Sequence, residues 1–228
     1  MNNTGINLMK KSTYQGLPTL GSSYELNNDY LEVIRVPMDN AMDEYPRVFA
    51  VRFDLRQPQG ALLDCLSRDE ILGNEALGIY RTDLATRFVQ SFKAKLKAHE
   101  RRCHRKGTRV YPCTVRFAWV RERDKSAHDH YHFVLFLNEE RFGRLGNTTR
   151  SGSLAWTITS AWASALNCDV STIRRLVHFP DNACYVLDRK SEDLIEQFND
   201  LFYRLSYFAK YATKHYDEGH RCIGRSIR

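Results

Sequence analysis

The chain has no apolar run long enough to span a membrane. No unbroken one exceeds five residues, the length of Phe133 to Leu137, where a spanning helix needs about 20. It begins Met1-Asn2-Asn3-Thr4, without the charged and then apolar layout of a secretory signal. A cytoplasmic location with no membrane partner is the expectation. Six cysteines occur, Cys65, Cys103, Cys113, Cys168, Cys184 and Cys222, with no Cys-x-x-Cys pair among them and no zinc-finger spacing. That pattern argues against a structural zinc module and fits scattered reduced thiols. Internal repeats and low-complexity tracts are also missing. What is present is ordinary for a globular fold: 228 residues and 43% hydrophobic content, enough for one sizeable core.

Acid is in deficit. Lys and Arg number 34 against 27 Asp and Glu, a net charge of +7, which favours a polyanionic partner. The excess is concentrated. Between Lys93 and Arg109 the cations Lys93, Lys95, Lys97, Arg101, Arg102, Arg105, Lys106 and Arg109 meet one acid, Glu100. Such a run serves either as a solvated helix face or as a set of phosphate contacts.

Residues 1 to about 28 are rich in Asn, Gly, Ser and Thr and read as a loosely ordered arm. A short helix follows, interrupted at Pro37 and ending before Pro46. The main domain is expected over 46–216, with a short basic tail over 217–228. Alternation and β-propensity predict strands over 47–55, 113–122 and 130–137. Helices are predicted over 81–106, 154–166 and 192–214, the first closed by Gly107. Two short strands, 173–179 and 183–187, flank a Pro180-Asp181-Asn182 turn. Strands and helices mix without strict alternation, so the fold class is α+β with a mainly antiparallel sheet.

The three main strands share a pattern. Phe49, Val51, Phe53 and Leu55 oppose Ala50, Arg52 and Asp54. Phe117 and Trp119 oppose Arg116, Ala118, Val120 and Glu122. Tyr131, Phe133, Leu135 and Leu137 oppose His130, His132, Val134 and Phe136. If the strands are neighbours, Arg52, Asp54, Arg116, Glu122, His130 and His132 gather on one side of one sheet. Charged groups seldom gather on a sheet face without a partner.

His130 and His132 point the same way, half of a metal site. A divalent ion needs a third protein ligand. Glu122 leads, because its strand is joined to the histidine strand by a short connection; His128 and Asp54 are alternatives. Two imidazoles and a carboxylate suit Mn²⁺ readily and Mg²⁺ less comfortably. The ion would polarise a phosphodiester as a Lewis acid. A nucleophile is offered by Tyr207-Phe208-Ala209-Lys210-Tyr211-Ala212-Thr213-Lys214. On a continuous helix Tyr207 and Tyr211 stand on one face, off the apolar stripe of Leu194, Phe198, Leu201, Leu205 and Phe208. A neighbouring cation favours the phenolate over the phenol.

His130-Tyr131-His132 resembles the His-hydrophobic-His motif of HUH endonucleases. Tyr207-x-x-Lys210-Tyr211-x-x-Lys214 is similar to the motif of two-tyrosine replication initiators. Pro46-Arg47 through Arg52-Phe53-Asp54-Leu55 and Trp119-Val120-Arg121-Glu122 extend the likeness, over residues 46 to 215, to the inovirus (filamentous phage) replication-protein family. The resemblance implies an RRM-like or ferredoxin-like palm with helices on one face and an open active-site face. It implies nicking and joining of single-stranded or hairpin DNA at a replication origin through a 5′-phosphotyrosine link, with a free 3′-hydroxyl left to prime synthesis. By matching position His130 and His132 hold the metal, Tyr207 is the first nucleophile with Tyr211 its alternate, and Lys210 positions phosphate. Glu122 as third ligand follows less directly. The expected setting is rolling-circle replication of a phage, satellite or other mobile element, with a host helicase and polymerase as partners. Phosphate grip is expected from Lys93, Lys97, Arg101, Arg102, Arg105, Lys214, Arg52 and Arg116. A non-catalytic origin- or operator-binding protein on the same palm is the alternative. An RRM-like RNA binder fits less well, because most sheet aromatics fall on the face opposite the histidines.

Overall fold

A computed structural model describes residues 12–58, 84–122, 129–211 and 221–227. Strand β1 (Thr13–Tyr14) and strand β2 (Leu17–Pro18) form a small hairpin. Helix α1 (Asn28–Glu44) leads into β3 (Arg47–Arg56). Helix α2 (Leu84–Arg105), β4 (Arg116–Glu122), β5 (His130–Asn138) and helix α3 (Leu154–Leu166) follow. The two-residue strand β6 (Val177–His178), β7 (Cys184–Asp188), helix α4 (Leu194–Leu205) and β8 (Ile223–Arg225) complete the order.

Strands β3 to β8 form one antiparallel sheet, apart from the β1–β2 hairpin. β3 and β5 are central, β4 lies beside β5, and β7 lies beside β3. Taken with α2 between β3 and β4 and α3 between β5 and β7, this is the split β-α-β arrangement of ferredoxin-like folds. The α+β antiparallel architecture expected from patterning is present.

One face buries Phe53, Phe133 and Leu135 under Phe88 and Phe92 of α2 and Trp162 of α3. Opposite it, Ala50, Val134 and Phe136 lie beneath Met38 of α1 and Phe202 of α4. The expectation of an open second face is therefore corrected: α1 and α4 cover most of it. The first was expected to lie outside the main domain, in the arm that precedes residue 46; the second was expected within that domain, with its apolar stripe buried.

Four element assignments also change. Helix α1 runs unbroken through Pro37. Leu31, Ile34, Met38, Ala41 and Met42 follow helical spacing and are all buried. At about 1.5–3 kcal/mol for a large apolar side chain, their burial exceeds the ~3 kcal/mol cost of an internal proline. The segment 173–179 is not one strand. It is a helical turn (Val170–Ile173), a 3₁₀ turn and then two strand residues. Ile173 is fully buried in the helical turn, so packing overrides its β-branched preference, whereas Val177 keeps the strand conformation against Leu55 of β3. The last helix stops at Leu205 and passes into a 3₁₀ turn, Ser206–Ala209. Residues 223–225 are not a tail but a strand on β4. There a Cβ at Gly224 would stand 2.7 Å from the Trp119 ring.

Much of the arm is ordered as well. From Ser12 onward it folds against the second face, where Tyr14, Leu17 and Leu26 pack on the core. Its backbone is tied to the end of the last helix. Leu20 N–H donates to Ser206 Oγ at 3.0 Å. Asn27 N–H donates to the Ala209 carbonyl at 2.8 Å and Tyr211 N–H to the Glu25 carbonyl at 3.0 Å, around a bridge between Leu26 and Lys210. These bonds satisfy carbonyl and amide groups that a longer helix would have paired internally.

Candidate metal centre

Strand register decides which ionisable groups meet. Glu122 is directly across from His130, and Asp54 is directly across from His132. On its other side Asp54 faces His178 of β6. Cross-strand neighbours lie about 4.5–5.5 Å apart at Cβ. One row therefore reads His178, Asp54, His132, and the next places His130 beside Glu122.

The side chains use this placement. His132 donates from Nδ1 to Asp54 Oδ1 at 2.6 Å, and its Nε2 faces Glu122 Oε2 at 3.2 Å. His130 Nε2 is 3.8 Å from the same glutamate oxygen. His178 Nδ1 reaches the other Asp54 oxygen at 3.3 Å. His130, His132 and Glu122 each offer one ligand atom, and the three lie within 4.8 Å of one another. Ligands about 2.1 Å from a shared ion stand roughly 3 Å apart around an octahedron. The 3.2 and 3.8 Å separations are close to that spacing. The third-ligand alternatives resolve accordingly. Glu122 joins the histidines. Asp54 orients His132 from behind, as carboxylates do for metal-binding imidazoles. His128 lies outside the described residues.

Burial sets the electrostatics. Glu122 is 3% exposed and His132 7%, whereas His130 is only partly buried and His178 exposed, so the cluster is approached from the His130 side. Burial alone would push the Asp54 carboxyl up. The hydrogen bond and charge of His132, with Arg52, outweigh it and hold Asp54 down at about 2. Burial likewise disfavours a charged His132, but the two carboxylates overcome it and raise its pKa. His130 moves the other way, lowered by burial and then by the charge of His132. The two carboxylates thus favour protonation of His132, a place that a bound cation would take over, whereas burial favours the neutral ring of His130.

The tyrosines separate. The Tyr207 ring stands edge-on to His132, centroids 5.8 Å apart. Lys210 Nζ is 5.2 Å from the Tyr207 ring and 4.4 Å from that of Tyr24. Tyr24 also meets Tyr207 edge-on at 5.9 Å. Burial and then Glu122 raise the phenol pKa of Tyr207, against a lowering by Lys210. The expected pairing of Tyr207 and Tyr211 on one helix face does not form. Lys210 leaves the helical region, with ψ at 128°, and Tyr211 lies half exposed beyond it.

The anticipated phosphate contacts are redistributed. Arg52 is buried, 3.6 Å from Asp54 and with its guanidinium 5.7 Å from the Phe208 ring; it braces the cluster and does not line a surface. Arg116 pairs with Glu44 of α1. Lys93, Lys97, Arg101, Arg102 and Arg105 are on α2, whose buried residues pack on the opposite face of the sheet. Lys214 lies outside the described residues.

Sequence reasoning missed His178, Tyr24 and Phe208, whose ring stacks on His132 at 5.8 Å. Only Phe208 had a signal, its place next to Tyr207. His178 depends on the register of a two-residue strand, and Tyr24 on the docking of the arm.

The sequence matches the YagK/YfjJ C-terminal domain family over residues 9–226. The chain belongs to that family. It is 35% identical to YagK of Escherichia coli K12, described as an uncharacterized protein, over 184 residues covering 81% of this chain and 85% of the relative. It is 32% identical to YfjJ of the same strain, also described as uncharacterized, over 203 residues covering 86% of this chain and 93% of the relative. No solved structure matches the chain. No helix among the described residues is long and apolar enough to cross a membrane.

Proposed function

We propose that this chain is a metal-dependent nickase and strand transferase of single-stranded DNA, working in the manner of the HUH endonucleases its motifs resemble. The observation that carries the reading is the position of Tyr207, edge-on to His132 at a centroid distance of 5.8 Å, beside the Glu122, His130 and His132 cluster. His130, His132 and Glu122 would hold a divalent ion, with Mn²⁺ better suited than Mg²⁺ to two nitrogen donors. Such an ion supplies Lewis acidity to a bound phosphodiester.

The residues of the chain divide the remaining work. Tyr207 Oη attacks the phosphorus and forms a new P–O bond. The bond from phosphorus to the 3′ oxygen breaks, and that oxygen leaves as a hydroxyl after taking up a proton; the phenol gives up one. The number of phosphodiester bonds is unchanged and no water is consumed, so the cut end can be passed to another 3′-hydroxyl. Lys210, held against the Tyr207 ring, supplies positive charge that favours the phenolate and receives phosphate. Asp54 fixes the orientation of His132. Tyr211, on the extended segment past the helix, is left as the nucleophile of a second transfer. Initiation of rolling-circle replication of a mobile element, with a host helicase, is the setting this chemistry fits.

The test mixes the protein with single-stranded oligonucleotides from its own genetic neighbourhood and Mn²⁺, resolved on a denaturing gel. A covalent adduct that disappears with a chelator and with Tyr207→Phe is expected. An adduct that survives Tyr207→Phe but not Tyr211→Phe would transfer the first step to Tyr211. Binding of the oligonucleotide with no adduct under any metal would leave the non-catalytic origin- or operator-binding alternative.

A further inference from the structure

A large concavity among the described residues lies away from the His130 and His132 cluster. It is an open cleft of about 1450 Å³ between the second half of α2 and the segment 139–157. Small-molecule pockets run to about 1,000 Å³, so this space suits a length of polymer better than a metabolite. Seven Lys and Arg side chains line it against two glutamates. Both glutamates, Glu139 and Glu140, are already paired with Arg47. Lys95, Arg102, Arg109, Arg144 and Arg150 form no ion pair among the described residues. All but the half-buried Lys95 are exposed. Uncompensated cations gathered in a concavity raise the local concentration of a polyanion.

The same cleft offers a flat surface for stacking. Tyr111 is 39% exposed, and the Arg109 guanidinium covers its ring at 4.9 Å. Exposed aromatic rings among cations suit unpaired bases, which present a free π-face, better than a closed duplex. The N-terminal end of α3 also borders the space, with no acidic residue in its first turn, so nothing there opposes an anion.

We propose that this cleft binds the backbone of single-stranded DNA at a second site, apart from the histidine cluster. The polyanion preference stands on the charges alone; the choice of DNA rests on the proposed nickase function. The cleft borders the end of β5, at Glu139, whereas the cluster is at its start, at His130. The two sites are also on opposite faces of the sheet. Eight residue steps along the strand separate His130 from Asn138, which is about 27 Å. A strand reaching both must pass around the sheet edge, so the two sites hold different stretches of one molecule.

The test measures binding of a fluorescently labelled single-stranded oligonucleotide to the full chain in a chelator, across a series of salt concentrations. Neither metal nor cleavage is then involved. Arg102→Glu/Arg144→Glu is expected to weaken binding about tenfold or more and to make the log–log salt slope shallower by about 2. Arg174→Glu/Arg175→Glu changes the charge equally, in the exposed turn before β6 at the end of β3 away from the cleft, and should stay within about threefold of wild type. In the unmutated chain, bound oligonucleotide should protect Arg102, Arg144 and Arg150 from phenylglyoxal, a readout that needs no variant to fold. Equal losses in both variants, or no protection of these arginines, would overturn the cleft. Tighter binding of RNA or duplex DNA of the same sequence would overturn the assignment to single-stranded DNA. If no adduct forms with Mn²⁺ but the cleft behaves as described, the nickase reading fails and the binding site stands.

Discussion

His132 and Val134 are two residues apart on one strand and point to the same face, yet they lie in opposite kinds of interior. Val134 has Ala118 directly across on β4 and Arg52 on β3, and it belongs to the buried apolar cluster of Phe136, Met38 and Phe202. Around His132 the neighbours are Asp54 and Glu122, buried and ionisable. The pleat treats the two positions alike; the partners do not. At the apolar end stability comes from area removed from water. At the ionic end burial is itself a cost, offset only because each charge faces an opposite one. A sheet that could have been sealed with valine throughout keeps a costly cluster at the end where His130 is still reachable by solvent. That asymmetry marks a site more sharply than the histidines do alone.

The largest effect should come from the apolar end. Phe136→Ala empties a fully buried position and should cost about 3–5 kcal/mol in denaturant unfolding, with the affinity for Mn²⁺ unchanged in the fraction that remains folded. If Mn²⁺ affinity falls with it, the two ends are not separable. Asp54→Asn comes next. It keeps an acceptor for His132 but removes the counter-charge, for an expected loss of about 1–3 kcal/mol and a 10–100-fold fall in metal affinity. His130→Ala should reverse the proportions. Its side chain is partly exposed, so unfolding should shift by less than about 1 kcal/mol, while Mn²⁺ binding by calorimetry falls about a hundredfold or more. A stability loss without a metal effect would make His130 a structural residue.

The same contrast explains what could be read in advance. Alternation along β3, β4 and β5 is a local property of the chain, so the two faces and the membership of Arg52, Asp54, Glu122, His130 and His132 in one surface were legible. Register is not local. That Asp54 backs His132 while Glu122 faces His130 depends on which residues pair across strands, and sequence spacing left both carboxylates as candidate ligands. The tyrosines failed for a related reason. Helical spacing from Glu192 to Lys214 holds only while the backbone bonds to itself. Leu20, Glu25 and Asn27 supply competing partners from nearly 200 residues away, and the helix ends before Tyr211. Low hydrophobicity made that arm look unstructured, although Tyr14, Leu17 and Leu26 suffice to dock it.

The smallest effect tests Arg116, at the apolar end of the same face. It was a candidate for phosphate contact, and Glu44 instead takes its charge. Glu44 also accepts hydrogen bonds from Tyr45 at 2.5 Å and Thr114 at 2.8 Å, so the carboxylate joins the end of α1 to the start of β4. Arg116→Ala should therefore cost about 1 kcal/mol of stability, since the pair is near the surface, and leave oligonucleotide affinity and its salt slope unchanged. The loss should depend on pH with a definite sign. Burial pushes the Glu44 carboxyl up, but the Tyr45 and Thr114 hydroxyls and Arg116 outweigh it and hold it below its usual value. A carboxyl lowered on folding stabilises the fold above its unfolded pKa, near 4.3, and ceases to as acid protonates it in the folded state. The gap between wild type and Arg116→Ala should be full at neutral pH and close below about pH 4. A gap that persists in acid would mean that Arg116 acts through its packed hydrocarbon stem, and a fall in oligonucleotide affinity would return it to the phosphate contacts.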